Sequence, residues 1–221
     1  MSSNELIITA DGSHTLYSKA IDETYHSTHG AVQESQHIFI EAGLKQCNKS
    51  TIRVLEIGFG TGLNAFLTLL EAEKLGLNTH FTTLEKFPVD MSIALKLNYA
   101  NDIDPNFKLL FEALHSSPWN EDVTISTNFV LRKIDADFTE YSFEDKYDLV
   151  IFDAFSPEKQ PEMWTAEMFE ILFKHCNTDA ILTTYCAKGI VRRAMQSAGF
   201  TVERLAGPPG KREILRARKT N

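Results

Sequence analysis

Apolar and polar positions along the chain switch repeatedly between two periods. Short, nearly continuous apolar runs occur at 51–57 ("TIRVLEI"), 79–85, 128–135, 148–153, 180–185, 200–205 and 212–218. Each has the length of a strand rather than of a helix. Between them lie stretches with helical spacing, among them "LNAFLTLLEAEKLG", "PEMWTAEMFEILFKHC" and "KGIVRRAMQSAG". This alternation predicts an α/β fold, an open and mostly parallel sheet of seven strands with helices on both faces. Only "AGPPGK" joins the last two strands. It is too short for a crossover helix, so they are expected to pair antiparallel.

Ahead of these runs the pattern differs. "ELIITADGSHTLYS" reads as two short strands around Asp11 and Gly12, a hairpin. In "GAVQESQHIFIEAGL", Val32, Gln36, Phe39, Ile40 and Leu44 fall at helical spacing. Residues 1–50 are therefore read as an N-terminal extension of hairpin and helix, and 51–221 as one Rossmann-like domain.

Composition narrows the picture only in places. No apolar stretch approaches the roughly 18 residues that span a bilayer, and "MSSNELIITADG" has no signal-peptide pattern. The three cysteines, Cys47, Cys176 and Cys186, are widely spaced and match no metal motif. A cytoplasmic protein with no metal and no membrane partner is expected. The net charge of −8 argues against a general nucleic-acid binder. Residues 186–221, however, carry nine Lys and Arg against two Glu. Such a basic face on an acidic body can hold a phosphate backbone, or can be a solvated surface.

Candidate chemistry clusters at strand ends. "LEIGFGTG" closes the first sheet strand with Gly58, Gly60 and Gly62 in alternation, so the backbone can turn tightly and approach a ligand. The spacing departs from the dinucleotide fingerprint, and Glu56 before the glycines suits an ammonium better than a pyrophosphate. Glu85 ends the next strand, placed to accept both hydroxyls of a ribose. Asp135 ends the third and could receive an adenine amino group, with Asp137 as its rival. Three acids in this order suit a nucleoside carrying a cation, such as S-adenosylmethionine.

"VIFDAFSPEKQPEMW" ends an apolar strand on Asp153. In open α/β sheets ligands bind beyond the carboxyl ends of the strands, so Asp153 is expected at the mouth of the site facing the reactive end of the cofactor. Pro157 and Pro161 stiffen the following loop and hold Phe155 and Trp164. An alternative gives Ser156 a helix N-cap and Trp164 a place in the core.

With "DETYHS", "ES" at 34–35, "LEIGFGTGLN", "EKFP", "DAFSPEKQPEMW", "GIVRRAMQSAGF" and "GKREIL", the chain resembles the methyltransferase domain of the MnmC family of tRNA-modifying enzymes. Gln160 stands where that family often has asparagine, Ile214 where methionine is usual, and Cys186, Ala187 and Lys188 fill a variable stretch. The resemblance implies a class I S-adenosylmethionine-dependent methyltransferase fold. It implies methylation of the amine of 5-aminomethyl-2-thiouridine at the tRNA wobble position, with Asp153 receiving the amine beside the cofactor and Asn64 on the cofactor side. Tyr25, Glu34 and Phe155 would shape the substrate pocket. Lys211, Arg212 and one of Arg192 and Arg193 would contact tRNA phosphates, since adjacent helical residues diverge. No flavin oxidase half follows "KREIL", so a separate enzyme is expected to supply the aminomethyl substrate. The rivals are an aminopropyltransferase similar to spermidine synthase, whose polycation substrate a basic cluster would repel, and a non-catalytic S-adenosylmethionine-binding module.

Overall fold

The computed structural model describes residues 4–220. A small antiparallel sheet of β1 (Glu5–Ile8), β2 (His14–Ser18) and β3 (Glu23–Thr24) comes first. The main sheet has eight strands: β4 (Thr51–Ile57), β5 (Asn78–Glu85), β6 (Asp122–Ser126), β7 (Phe129–Asp135), β8 (Tyr147–Phe152), β9 (Cys176–Thr184), β10 (Thr201–Ala206) and β11 (Glu213–Arg218). Their order is β10-β11-β9-β8-β4-β5-β7-β6. The strands from β9 to β7 are parallel, and β11 pairs antiparallel with both β10 and β9, as the short connection requires. The helices are α1 (Ala31–Ser35), α2 (Leu63–Leu75), α3 (Met91–Ala94), α4 (Tyr99–Ile103), α5 (Lys108–Ser116), α6 (Ala166–Lys174) and α7 (Gly189–Ser197).

The eighth strand departs from the expected seven. β6 pairs antiparallel with β7 at the sheet edge through a bulge near Thr124 and Ser126. Its "DVTIS" has two apolar residues in five, neither fully buried. An edge strand with a wet face carries too weak a pattern to be read as one of the apolar runs. β8 is the opposite case. All of "YDLVIF" is buried, because helices cover both faces of the central strands.

The helical spacing before β4 also resolves differently. One α-turn, α1, passes into a π-helical stretch at Gln36–Glu41. Ile38, Phe39 and Ile40 are all buried there, and the stretch packs against both α2 and β9. Three consecutive buried residues exceed what one stripe of an α-helix can hide. Leu16, Ile38, Phe39, Ile40 and Leu44 join Phe66, Phe81 and Phe129 in one apolar cluster, so residues before β4 complete the core on the α2 face.

One buried charge interrupts this face. Lys133, in the middle of β7, is 1% exposed. Its ammonium donates to the carbonyl of His115 at 2.7 Å and lies 4.8 Å from the Trp119 ring centroid. Burial holds its pKa down to about 8, against about 10.4 in an unfolded chain. Between those values the lysine of the unfolded chain binds more protons, so the contribution of Lys133 to stability rises with pH through this window, whereas the buried cysteines, whose pKa values burial raises, act in the opposite sense. Urea midpoints on the two sides of the window should show the wild type gaining on Lys133→Met as pH climbs.

Candidate active site

The strand order sets the position of the site. From β4 the chain steps outward one way to β5 and β7, and the other way to β8 and β9. The loops after β4 and β8 therefore part, leaving a crevice at the carboxyl ends. A cavity of about 800 Å³ opens there, within the usual range for small-molecule sites. Its wall brings together Tyr25, Glu34, Gly58, Gly60, Asn64, Glu85, Asp153, Phe155 and Lys211. Glu56, Gly62, Asp135, Arg192, Arg193 and Arg212 are not on that wall.

The glycine turn is built for close approach. Gly58 has φ 93° and Gly60 φ 50°, both in the left-handed region. A Cβ on Gly58 would lie 3.1 Å from the carbonyl oxygen of Asp153, and one on Gly60 would lie 2.9 Å from the Tyr25 ring. Glu85 clamps the turn from β5: one carboxylate oxygen accepts from the Gly60 amide at 3.0 Å, the other from the Phe87 amide at 2.7 Å. Burial nevertheless raises the Glu85 pKa, with those amides opposing it. Two histidines that sequence reasoning passed over hold Thr61 of the same turn. His26 shares a 2.7 Å hydrogen bond with the Thr61 hydroxyl, and His115 Nε2 donates to its carbonyl at 3.1 Å. Burial lowers both pKa values to about 4, keeping both rings neutral. "YHS" carried the only local signal for His26. Nothing near His115 marked it, because α5 brings it in from more than fifty residues away.

Asp153 is half-buried at the tip of β8. Asn64 Nδ2, from the first turn of α2, donates to its Oδ2 at 2.8 Å. Burial holds the Asp153 carboxyl well above the usual range, and Glu34 pushes the same way; the Asn64 hydrogen bond and Lys211 pull it down. Lys211 sits 3.1 Å from Glu34 and 4.9 Å from the Tyr185 ring centroid, so it faces inward and is not free for an external phosphate. Arg193 and Arg212 are exposed, whereas Arg192 is partly buried. Asp135 faces solvent, one strand further from the β4–β8 crevice, while its rival Asp137 lines the cavity and pairs with Lys86.

The loop after Asp153 is fastened at several points. Phe155 packs edge-on to Tyr25 with centroids 5.0 Å apart. Its amide donates to Gln160 Oε1 at 3.2 Å, and its carbonyl accepts from Trp164 Nε1 at 2.8 Å. Trp164 is in the core, 4% exposed. Ser156 does not cap a helix; its amide and hydroxyl both donate to Glu23, and Thr165 caps α6. Among the described residues, no group of three or more His, Cys, Asp or Glu could hold a metal ion, and no helix is long and apolar enough to cross a membrane.

A family described as S-adenosyl-L-methionine-dependent methyltransferase matches residues 106–220, just over half of the chain. The chain belongs to the S-adenosyl-L-methionine-dependent methyltransferases. Relatives of this methyltransferase include the tRNA 5-methylaminomethyl-2-thiouridine biosynthesis bifunctional protein MnmC of Campylobacter fetus, 35% identical over 214 residues, covering 91% of this chain and 34% of that protein. The MnmC protein of Delftia acidovorans is 31% identical over 218 residues, covering 92% of this chain and 33% of its own length. The chain thus spans about a third of the curated relatives it matches. Among solved structures, MNMC2 from Aquifex aeolicus aligns with TM-score 0.79 and 27% identity over 98% of this chain and 70% of that one. A spermidine synthase from Thermotoga maritima aligns with TM-score 0.60 and 13% identity, over 94% of this chain and 69% of its own, a likeness of fold.

The cavity fits the cofactor this family uses. It has room for a nucleoside with an amino-acid arm, a backbone that comes close without side chains at Gly58 and Gly60, and the Glu85 carboxylate facing inward.

The charges around Asp153 make opposite shifts testable. Glu34 raises the Asp153 pKa, so, if Asp153 sets the acid limb of the rate–pH profile, Glu34→Gln should move that limb to lower pH. Lys211 lowers it, so Lys211→Met should move the same limb to higher pH. Profiles of kcat/KM for both variants measure the two displacements.

Proposed function

We propose that this chain transfers a methyl group from S-adenosylmethionine to the amine of 5-aminomethyl-2-thiouridine at the wobble position of tRNA. The observation that carries this is the half-buried Asp153 carboxyl at the crevice, fixed by Asn64 at 2.8 Å and facing the same cavity as Glu85. The names of relatives that each cover more than 90% of the chain support the choice of substrate. Positions 51–221 are the transferase body in this reading, and the described residues before them provide one wall of its pocket.

When bound, S-adenosylmethionine supplies an electrophilic methyl group. Glu85 would hold its ribose hydroxyls, and Gly58 and Gly60 would let the backbone lie against it; Asp137 is better placed than Asp135 to meet the base. Asp153 accepts a hydrogen bond from the substrate amine. Its raised proton affinity suits it to draw the proton from an amine that must be uncharged to attack. Tyr25 and Phe155 wall the pocket and keep water away. Because the acceptor is already an amine, the reaction that makes the aminomethyl group belongs to another active site. Arg193 and Arg212, exposed and outside the cavity, are the residues of the basic segment assigned to tRNA phosphates, with Lys211 turned to the inside.

The decisive assay incubates the protein with S-adenosylmethionine and tRNA bearing the aminomethyl nucleoside, then weighs the nucleosides; a gain of one methyl is expected. Putrescine with the decarboxylated cofactor should give no product. Asp153→Ala should lower single-turnover rate far more than tRNA affinity.

Glu85→Ala should weaken cofactor binding by about 1.5–3 kcal/mol, read by calorimetry on a folded variant. Neutralising Arg193 and Arg212 together should flatten the plot of log tRNA affinity against log salt by about 0.9 for each phosphate no longer neutralised.

A further inference from the structure

The cavity wall holds a charged pair whose hydrogen-bonding capacity the methyl transfer leaves unused. The Glu34 side chain is only 10% exposed, yet it lines the cavity. Its Oε1 accepts from the Ser27 amide at 3.1 Å. Its Oε2 is buried without a hydrogen-bond partner. Lys211 Nζ stands 3.1 Å from Oε2, so the charges pair, but without the alignment of a hydrogen bond. Lys211 also lies 4.9 Å from the Tyr185 ring centroid, and the Tyr185 hydroxyl donates to the carbonyl of Ala154 at 2.9 Å. The pair is thereby tied to the residue next to Asp153. Glu56, expected from the sequence to receive the cofactor's ammonium, is fully buried and off the wall, so it takes no part here.

Two features select what such a pair can hold. The first is charge. Glu34 cancels the charge of Lys211, so a phosphate gains little there. The second is pattern. An acceptor and a donor stand side by side, on a wall that also carries the rings of Tyr25, Phe155 and Tyr185. A flat, uncharged group with a donor next to an acceptor suits both features. The edge of uracil has that pattern, because O4 accepts and N3–H donates. O4 sits on the ring carbon beside the one that carries the aminomethyl arm. A base whose amine reaches Asp153 therefore brings O4, and then N3–H, to the wall around it.

We propose that Glu34 and Lys211 form the subsite that reads the Watson–Crick edge of the acceptor pyrimidine, Lys211 donating to O4 and Glu34 Oε2 accepting from N3–H, so that the site selects uracil over cytosine. This rests on the methyl transfer proposed above and deepens it, by assigning the choice of base to two side chains.

The test compares two tRNAs that carry the same aminomethyl arm at the wobble position, one on uridine and one on cytidine. Cytosine reverses the edge, presenting a donor to Lys211 and an acceptor to Glu34. Wild-type kcat/KM should favour the uridine tRNA by at least about a hundredfold, because a wrong edge leaves buried polar groups unpaired. Lys211→Met should shrink that ratio by at least about tenfold, chiefly through loss on uridine. Glu34→Gln should shrink it from the other side, since an amide can donate to cytosine N3. A ratio taken within one variant cancels any loss of fold and any change in the proton affinity of Asp153, which act on both tRNAs alike. A third tRNA, methylated at N3 of the same uridine, should be a poor acceptor for the wild type and needs no variant at all. Wild-type enzyme that accepts the uridine, cytidine and N3-methyl tRNAs equally would overturn the subsite and leave the methyl transfer standing. So would a ratio that neither substitution changes. A wild type that methylates none of the three would overturn the substrate reading and the subsite together.

Discussion

The site depends on the main chain of Gly58 lying against the main chain of Asp153. β4 and β8 run side by side and end together, and the Asp153 amide donates to the carbonyl of Ile57 at 3.2 Å. A Cβ at position 58 would press on the Asp153 carbonyl, and the left-handed φ there would strain any other residue. With that approach secured, the glycine turn can swing from β4 into α2. The first turn of α2 then carries Asn64 to within 2.8 Å of the Asp153 carboxyl. Glu85 holds the far side of the same turn. In the proposed reading, cofactor wall and acceptor wall are therefore two sides of one backbone contact.

Much of this was legible in the sequence because strand ends announce themselves. Continuous apolar runs gave the parallel centre, and the residues that stop them, Gly58, Glu85 and Asp153, are the ones found at the crevice. What escaped has physical reasons. β6 is half wet and short, so its pattern is diluted. Asp135 ends β7 and Asp137 lies two residues past it, and only the path of the chain after β7 decides which meets the cavity. Charge did not reveal direction either: Lys211 and Arg212 are neighbours in the sequence, yet one points to Glu34 and the other to solvent.

Charge at the cavity is more balanced than a count of acids suggests. Glu34 faces Lys211, Asp137 faces Lys86, and Glu85 is surrounded by backbone amides. The basic segment at 186–218 is likewise engaged at home in several places, with Arg204 on Glu213, Arg216 on Glu203 and Lys188 on Glu158. On the proposed reading, the exposed cations of this segment, Arg193 and Arg212 among them, form only a narrow strip for a polyanion. Such a strip would favour register over affinity, with phosphates setting position and the pocket selecting the base.

The wall formed by residues 25–37 also bears on how the protein comes together. His37 bonds the carbonyl of Ala206 at 2.8 Å across 169 residues, Gly210 lies against the His29 ring, and Glu34 pairs with Lys211. During vectorial synthesis the parallel strands can assemble in order as they emerge, whereas this wall has to wait for the turn between β10 and β11. Pairings of such long sequence separation form late, because loop-closure entropy must be met first. Ligand-binding competence would then trail behind the folding of the sheet. A nascent chain would carry an open, unfinished crevice until that turn docks.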